Sequence, residues 1–131
     1  MILVDSTVYI DLLRQRQDPR AALAHLLQAG VLRGCEVVRL EVMRGVISPA
    51  YRAELEGFFD LIPTLHLNTA VWKRALELGW TRDRKGEVLP LTDLLLAACA
   101  LQHGAALVSS DRHFTRIPGL KLWKHLPPPV A

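Results

Sequence analysis

Short apolar segments, each too short to form a helix, alternate along this chain with longer segments of helical periodicity. Residues 2–4 and 105–108 are the clearest of the short segments, and polar residues follow each of them at once. A buried strand of a parallel sheet looks like this, because helices cover both of its faces and leave no polar side. The alternation therefore predicts an α/β fold, with helices on both sides of a mostly parallel sheet of four to five strands.

The same patterns predict the order of the elements. Each further strand is predicted from a short apolar run: residues 36–38, 65–67 and 120–123. Helix starts are predicted at capping residues or prolines: Asp5-Ser6-Thr7, Asp18-Pro19, Ser48-Pro49, Asn68 and Thr92. One helix is predicted over residues 40–46 with Glu41 in its first turn, and the basic segment 81–87 is predicted to be an exposed loop.

Length and composition favour one domain. A chain of 131 residues that is 50% hydrophobic can bury its own core, so we expect a single domain over residues 1–131 with a proline-rich tail from about residue 126. The longest apolar run, residues 94–101, is far shorter than the roughly 20 residues that span a bilayer. Because the start also lacks a signal-peptide pattern, we expect a cytoplasmic protein without membrane association. A net charge of +3 permits a polyanionic partner without requiring one.

The cysteines and histidines form no recognisable zinc or redox motif. Cys35 and Cys99 are far apart in sequence and form no CxxC pair, so we expect two buried, reduced side chains without a chemical role. The five histidines show neither an HxxxH nor an HExxH pattern. A zinc site is therefore not expected.

Four isolated acids stand where an apolar run gives way to a helical pattern: Asp5, Glu41, Asp93 and Asp111. Taken singly, each can be explained as a helix cap or as a first-turn acid favoured by the helix dipole. Asp93, however, opens the most apolar helix of the chain, where an acid without a positive partner would be costly. Because ligands of α/β sheets bind at the carboxyl ends of the strands, we predict that the four acids meet in one crevice there.

Such a cluster of carboxylates indicates a particular chemistry. Carboxylates a few ångströms apart repel each other, so they need either a shared proton or a bound cation. An all-oxygen ligand set favours Mg²⁺ or Mn²⁺, ions that often also bind phosphate oxygens of a substrate. Hydrolysis of a phosphodiester is the natural reaction, and four acids could support one ion or two.

Four segments carry the main motifs: residues 4–13 (Val-Asp-Ser-Thr-Val-Tyr-Ile-Asp-Leu-Leu), 40–45 (Leu-Glu-Val-Met-Arg-Gly), 93–98 (Asp-Leu-Leu-Leu-Ala-Ala) and 107–114 (Leu-Val-Ser-Ser-Asp-Arg-His-Phe). In order, spacing and total length they resemble the PIN-domain ribonucleases, specifically the VapC-type toxins. The resemblance covers nearly the whole chain. It implies a PIN-like three-layer α/β/α sandwich and Mg²⁺- or Mn²⁺-dependent endonucleolytic cleavage of RNA.

The resemblance also implies residue roles and partners. Asp5, Asp93 and Asp111 would be the main metal-site carboxylates, and Glu41 would bind the metal directly or through water. Ser6 and Ser109 would be supporting polar groups. A VapB-like antitoxin would block the activity in a toxin–antitoxin module, and the protein would be a homodimer.

Two positions depart from the pattern of many relatives. His113 stands where an Asp-x-Asp-Phe motif has its second acid, and Val38-Arg39 replaces the usual threonine before the glutamate. His113 could be an extra ligand, a substrate contact or a surface residue, and we favour the last. The second departure weakens the match to the family pattern around Glu41 more than around the aspartates.

Basic residues near the acids in sequence are candidates for binding RNA phosphates, with a solvated loop as the alternative. They are Arg82, Arg84, Lys85 and Arg112.

Other functions remain open at this point. A phosphatase would need a second acid two residues after Asp5, where Thr7 stands, and a phosphoacceptor receiver would need paired acids and a late lysine. A PIN-domain RNA-processing nuclease without an antitoxin, or a catalytically idle RNA-binding module, fits the sequence better than either.

Overall fold

The computed structural model describes residues 1–129, so the last two residues of the predicted proline-rich tail lie outside the described part. The helices are α1 (Ser6–Arg14), α2 (Pro19–Gln28), α3 (Glu36–Met43), α4 (Pro49–Asp60), α5 (Thr69–Arg84) and α6 (Leu91–His103). The strands are β1 (Ile2–Val4), β2 (Leu32–Arg33), β3 (Ala106–Val108) and β4 (Leu122–Trp123). A 3-10 segment, Arg112–Arg116, lies between β3 and β4.

The four strands form one parallel sheet in the order β2-β1-β3-β4. Ile2 lies opposite both Leu32 and Ala106, and Val4 lies opposite Val108. The predicted α/β architecture is therefore confirmed. Because β1 and β3 are neighbours with the same direction, the residues that follow them emerge side by side at the carboxyl edge of the sheet.

The core surrounds the two central strands and α6. Leu3 and Leu107 are fully buried, and every residue from Leu95 to Ala100 is buried as well, so α6 is enclosed on nearly all sides. Cys35 and Cys99 are both buried and unpaired, as expected. No helix within residues 1–129 combines the length and the apolar character needed to cross a membrane.

The strand predicted at residues 36–38 is wrong. The second strand is Leu32–Arg33, and Glu36 already begins α3 after Cys35 in extended conformation. Val38 and Val42 are buried one helical turn apart on α3. That spacing has helical rather than strand periodicity, and it outweighs the strand preference of adjacent valines. Glu41 consequently lies well inside α3 and not in a first turn.

The strand predicted at residues 65–67 is also wrong. This segment makes one isolated parallel bridge, Gly34 with Thr64, and Leu65 N donates to the Gly34 carbonyl oxygen at 2.8 Å. A single bridge does not extend the sheet. The side chain of Asn68 then accepts a hydrogen bond from Val71 N and starts α5.

The segment 81–87, predicted as an exposed loop, is largely the last turn of α5, which ends at Arg84. Arg82 is only 6% exposed. Its Nη1 donates to Arg116 O at 2.7 Å and to Glu87 Oε2 at 3.2 Å, so the guanidinium joins the end of α5 to the 3-10 segment. A basic pattern does not distinguish this buried arginine from its exposed neighbours.

Part of the predicted tail contacts the rest of the protein. Leu126 packs against the core, and the carbonyl oxygen of Pro127 lies 2.7 Å from His25 Nε2 on α2. Described residues of the predicted tail are thus held against the body of the fold.

Two glycines give a matched test of the backbone. Gly104 ends α6 with φ of +69°, a conformation that favours glycine, whereas Gly57 lies inside α4. At both positions an added Cβ would meet nothing within 4 Å, so the two glycines differ in backbone conformation and not in available space. Gly104→Ala is expected to cost about 1–2 kcal/mol of unfolding free energy, and Gly57→Ala to add about 0.5–1 kcal/mol. Urea denaturation of both variants checks this, and equal effects would contradict it.

Candidate active site

Asp5 lies at the carboxyl end of β1, where its backbone N donates to Val108 O at 2.9 Å. It is 3% exposed and holds the cap position of α1, but its side chain makes no capping hydrogen bond. Instead its Oδ2 accepts from Thr7 Oγ1 and Ser109 Oγ, both at 2.7 Å. Hydroxyl groups therefore hold this buried carboxylate in place, and the helix-cap explanation does not account for it.

Ser6 and Ser109 connect the acids to one another. Ser6 Oγ lies 3.4 Å from Asp5 Oδ1 and 3.3 Å from Glu41 Oε1, so its single proton can serve either carboxylate. Ser109 Oγ donates to Asp5 and accepts from Asp111 N at 3.0 Å. The two serines thereby link side chains or backbone of three of the four acids.

Asp93, Asp111 and His113 form the tightest group at this edge. Asp93 lies in the first turn of α6, and Asp111 precedes the 3-10 segment, where its Oδ1 accepts from His113 N at 2.9 Å. His113 Nδ1 lies 3.0 Å from Asp93 Oδ2 and 3.2 Å from Asp111 Oδ1. One ligand atom from each of the three residues lies within 4.8 Å of the others, so the group could hold a metal ion.

The sequence favours a surface position for His113. Its side chain is 48% exposed, as a surface residue would be, yet its ring contacts two of the four acids. Its position two residues after Asp111 was the one available signal. The spacing alone does not predict a contact with the acids, because the 3-10 segment is what brings the His113 ring to Asp93 and Asp111.

The four acids influence one another electrostatically. Burial is the main reason that the pKa of Asp93 lies above its usual range, and repulsion from Asp111 and Asp5 adds to it, while the hydrogen bond with His113 opposes it. Burial likewise raises the pKa of Glu41, and repulsion from Asp5 and Asp93 adds to this. The hydrogen bond from Ser6 and the positive charge of Arg44 lower the same pKa and offset part of the rise. In residues 1–129 no lysine or arginine forms an ion pair with any of the four acids. The cluster is thus short of positive charge.

The donor set fits a hard divalent cation. Carboxylate oxygens dominate it, and carboxylates brought together without a cationic partner are stabilised by a bound ion. Asp93 and Asp111 would hold such an ion most directly. Asp5 and Glu41 lie outside the tight group, but Asp5 is close enough for its charge to contribute to the raised pKa values of Asp93 and Glu41.

The four candidate phosphate-binding residues lie in different surroundings. Arg82 is buried and already bonded to Glu87 and Arg116, which disfavours it as an RNA contact. Arg84 is exposed and stacks on the ring of Trp80 at 4.8 Å, while Lys85 and Arg112 are exposed. The last three therefore remain candidates.

Open α/β sheets bind their ligands at the carboxyl ends of the strands, and this parallel sheet carries there a carboxylate cluster that could hold a metal ion. Comparison with known families makes the class specific. The family model "PIN domain" matches residues 2–120, and the chain belongs to the PIN domain family.

Relatives and solved structures agree with this assignment. The chain is 28% identical to "Ribonuclease VapC11" of Mycobacterium tuberculosis over 119 residues, which cover 87% of this chain and 89% of the relative. "Ribonuclease VapC19" of the same species is 28% identical over 123 residues, covering 92% and 98%. The fold matches the crystal structure of VapBC2 from Rickettsia felis bound to a promoter DNA fragment with a TM-score of 0.78, at 22% identity and 94% and 98% coverage.

The raised pKa values predict how the stability of the metal-free protein depends on pH. Asp93 and Glu41 bind a proton more tightly in the folded than in the unfolded state, so protonation favours folding. Their unfavourable contribution is fully present at pH above the raised folded values. It declines as pH falls through those values and is absent below the ordinary values of 3.8 and 4.5.

Asp93→Asn is accordingly expected to stabilise the metal-free protein near pH 7 by about 0.5 kcal/mol, the order of one partly screened charge pair. The difference from the wild-type protein should shrink as the pH is lowered toward 4. Urea denaturation in the presence of a chelator measures it. A variant less stable than the wild type near pH 7 would show that the charge of Asp93 does not destabilise the metal-free fold.

Proposed function

We propose that this protein is a metal-dependent endoribonuclease and the toxin of a type II toxin–antitoxin module. The observation that carries the proposal is the meeting of four acids at the carboxyl edge of a PIN-domain sheet. The names of the relatives, which are called VapC ribonucleases, support RNA as the substrate. The structures of VapBC complexes with a similar fold support a VapB-like antitoxin as the partner.

We assign the metal-site role to Asp5, Asp93 and Asp111, with Glu41 as a ligand directly or through water. Mg²⁺ or Mn²⁺ bound there would make water a better nucleophile and stabilise charge on the phosphate. The hydroxyls of Thr7 and Ser109 orient the Asp5 carboxylate, and Ser109 also fixes the backbone of Asp111. Burial raises the pKa of Glu41, and a raised pKa makes a carboxylate a better proton acceptor.

The rest of the proposal concerns the whole chain and its surroundings. Residues 1–131 form a single domain that works in the cytoplasm as a homodimer. Arg84, Lys85 and Arg112 contact phosphates of the RNA that is bound at the four acids. Such contacts would add affinity without sequence selectivity.

Purified protein freed from antitoxin tests the proposal directly. We expect cleavage of RNA with Mg²⁺ or Mn²⁺, no cleavage with a chelator, and recovery when the ion is restored. Expression in cells should arrest growth, and coexpression of a small antitoxin-like protein encoded beside the toxin should relieve the arrest. RNA cleavage without growth arrest would favour an RNA-processing nuclease, and RNA binding without cleavage would favour an idle module.

A further inference from the structure

We propose that His113 is a direct nitrogen ligand of the metal ion, so that the site is a mixed nitrogen–oxygen site. Such a site favours Mn²⁺ over Mg²⁺ more strongly than a purely carboxylate site would. The inference rests on the proposed function, because it concerns the same metal. It goes further by assigning a ligand that the carboxylate motif does not contain.

The spacing of the donor atoms matches neighbouring ligands of one ion. His113 Nδ1 lies 3.0 Å from Asp93 Oδ2 and 3.2 Å from Asp111 Oδ1. Octahedral ions with ligands at about 2.1 Å place adjacent ligands roughly 3.0 Å apart. The nitrogen therefore already lies at about the distance from each carboxylate oxygen that adjacent ligands of one small cation have.

The backbone aims the imidazole at the acids. His113 N donates to Asp111 Oδ1 at 2.9 Å, which ties the start of the 3-10 segment to one of the acids. The next residue, Phe114, is 1% exposed and anchors the same segment in the core. The hydrogen bond to Asp111 before His113 and the buried Phe114 after it thus fix the backbone that carries the imidazole ring.

A purely structural role for His113 makes a different prediction. In that role Nδ1 carries a proton and donates it to the carboxylates, and an incoming cation would take over their charge and release the ring. One nitrogen cannot donate a proton to a carboxylate and a lone pair to a metal at once. Detecting the nitrogen on the bound ion therefore separates the two roles.

A nitrogen ligand changes which ion binds better. Mg²⁺ and Mn²⁺ both accept carboxylate and water oxygens, whereas imidazole suits transition-metal ions. Exchanging His113 for a carboxylate should leave the site able to bind both ions while removing the advantage of Mn²⁺. His113→Asp is therefore the informative variant, and His113→Ala shows the effect of removing the ligand altogether.

The test uses the full chain loaded with Mn²⁺ and pulsed electron paramagnetic resonance, which detects nitrogen bound to the ion. We expect nitrogen coupling in the wild-type protein and none in His113→Asp or His113→Ala. The ratio of Mn²⁺ to Mg²⁺ affinity should fall by about tenfold in His113→Asp, a change as large as the smaller losses of metal affinity, about 10–100-fold, that follow mutation of residues supporting a metal ligand. His103→Ala is the matched control, because His103 lies ten residues beyond Asp93 on α6, about 15 Å along the helix axis.

Wild-type protein that binds Mn²⁺ without nitrogen coupling would overturn the inference, as would coupling that persists in both His113 variants. The proposed function would still stand in either case if RNA cleavage depends on the metal. If the wild-type protein binds no Mn²⁺ and cleaves no RNA, the inference and the proposed metal site both fail.

Discussion

Asp93→Asn is expected to reduce metal-dependent RNA cleavage by about 10³-fold, the loss typical when a group that stabilises transition-state charge is removed. The amide has the shape of the carboxylate, and its oxygen can still accept a hydrogen bond from His113. In the wild-type protein His113 Nδ1 lies 3.0 Å from Asp93 Oδ2. It lacks the negative charge that would hold the cation. Single-turnover cleavage at saturating Mg²⁺ measures the effect.

The same substitution is expected to stabilise the metal-free protein, since it removes a partly buried charge and its repulsion from Asp111 and Asp5. Lost activity in a more stable protein cannot be attributed to unfolding. Asp83→Asn is the control, because Asp83 is an exposed acid on α5 and lies outside the cluster. Cleavage by Asp93→Asn within a few-fold of the wild type would remove Asp93 from the site.

Phe114→Ala is expected to lower the free energy of unfolding by about 3–5 kcal/mol, the usual cost of emptying a buried aromatic position. Phe114 is 1% exposed and is the buried residue of the 3-10 segment. Domains of this size have total stabilities of about 5–15 kcal/mol, so the loss is a large part of the whole. Urea denaturation of the metal-free protein measures it.

Phe114→Leu is the matched control and is expected to cost much less, because leucine keeps most of the buried apolar volume. Since Phe114 anchors the segment that begins after Asp111 and contains His113, the alanine variant should also bind Mn²⁺ more weakly while still folded. A stability within about 1 kcal/mol of the wild type would show that Phe114 does not anchor the segment.

Several parts of the fold could be predicted because local signals and tertiary packing agree there. The apolar run at residues 2–4 is β1, and residues 105–108 contain β3. The capping residues Asp18, Ser48 and Asn68 start α2, α4 and α5 where expected. At each of these places the period of the apolar residues matches the element that forms.

Prediction failed where packing against distant parts of the chain, rather than the local residue pattern, set the secondary structure or the burial of a short segment. The valines at residues 37–38 belong to α3, because Val38 and Val42 both face the core at helical spacing. Residues 65–67 resemble a strand but form one bridge beside Gly34. Arg82 reads as part of an exposed basic loop, yet Glu87 and the carbonyl of Arg116 hold it in the interior.

The sequence by itself determined the class of fold and the four acids, because strand and helix periodicity and isolated carboxylates are local properties of the chain. Only the tertiary structure decided how the acids are held and what stands among them. Ser109 reaches Asp5 across 104 positions of sequence, and His113 reaches Asp93 across 20. Contacts of this kind depend on which strands become neighbours and on how one turn returns over the sheet edge, and no local pattern of residues encodes either.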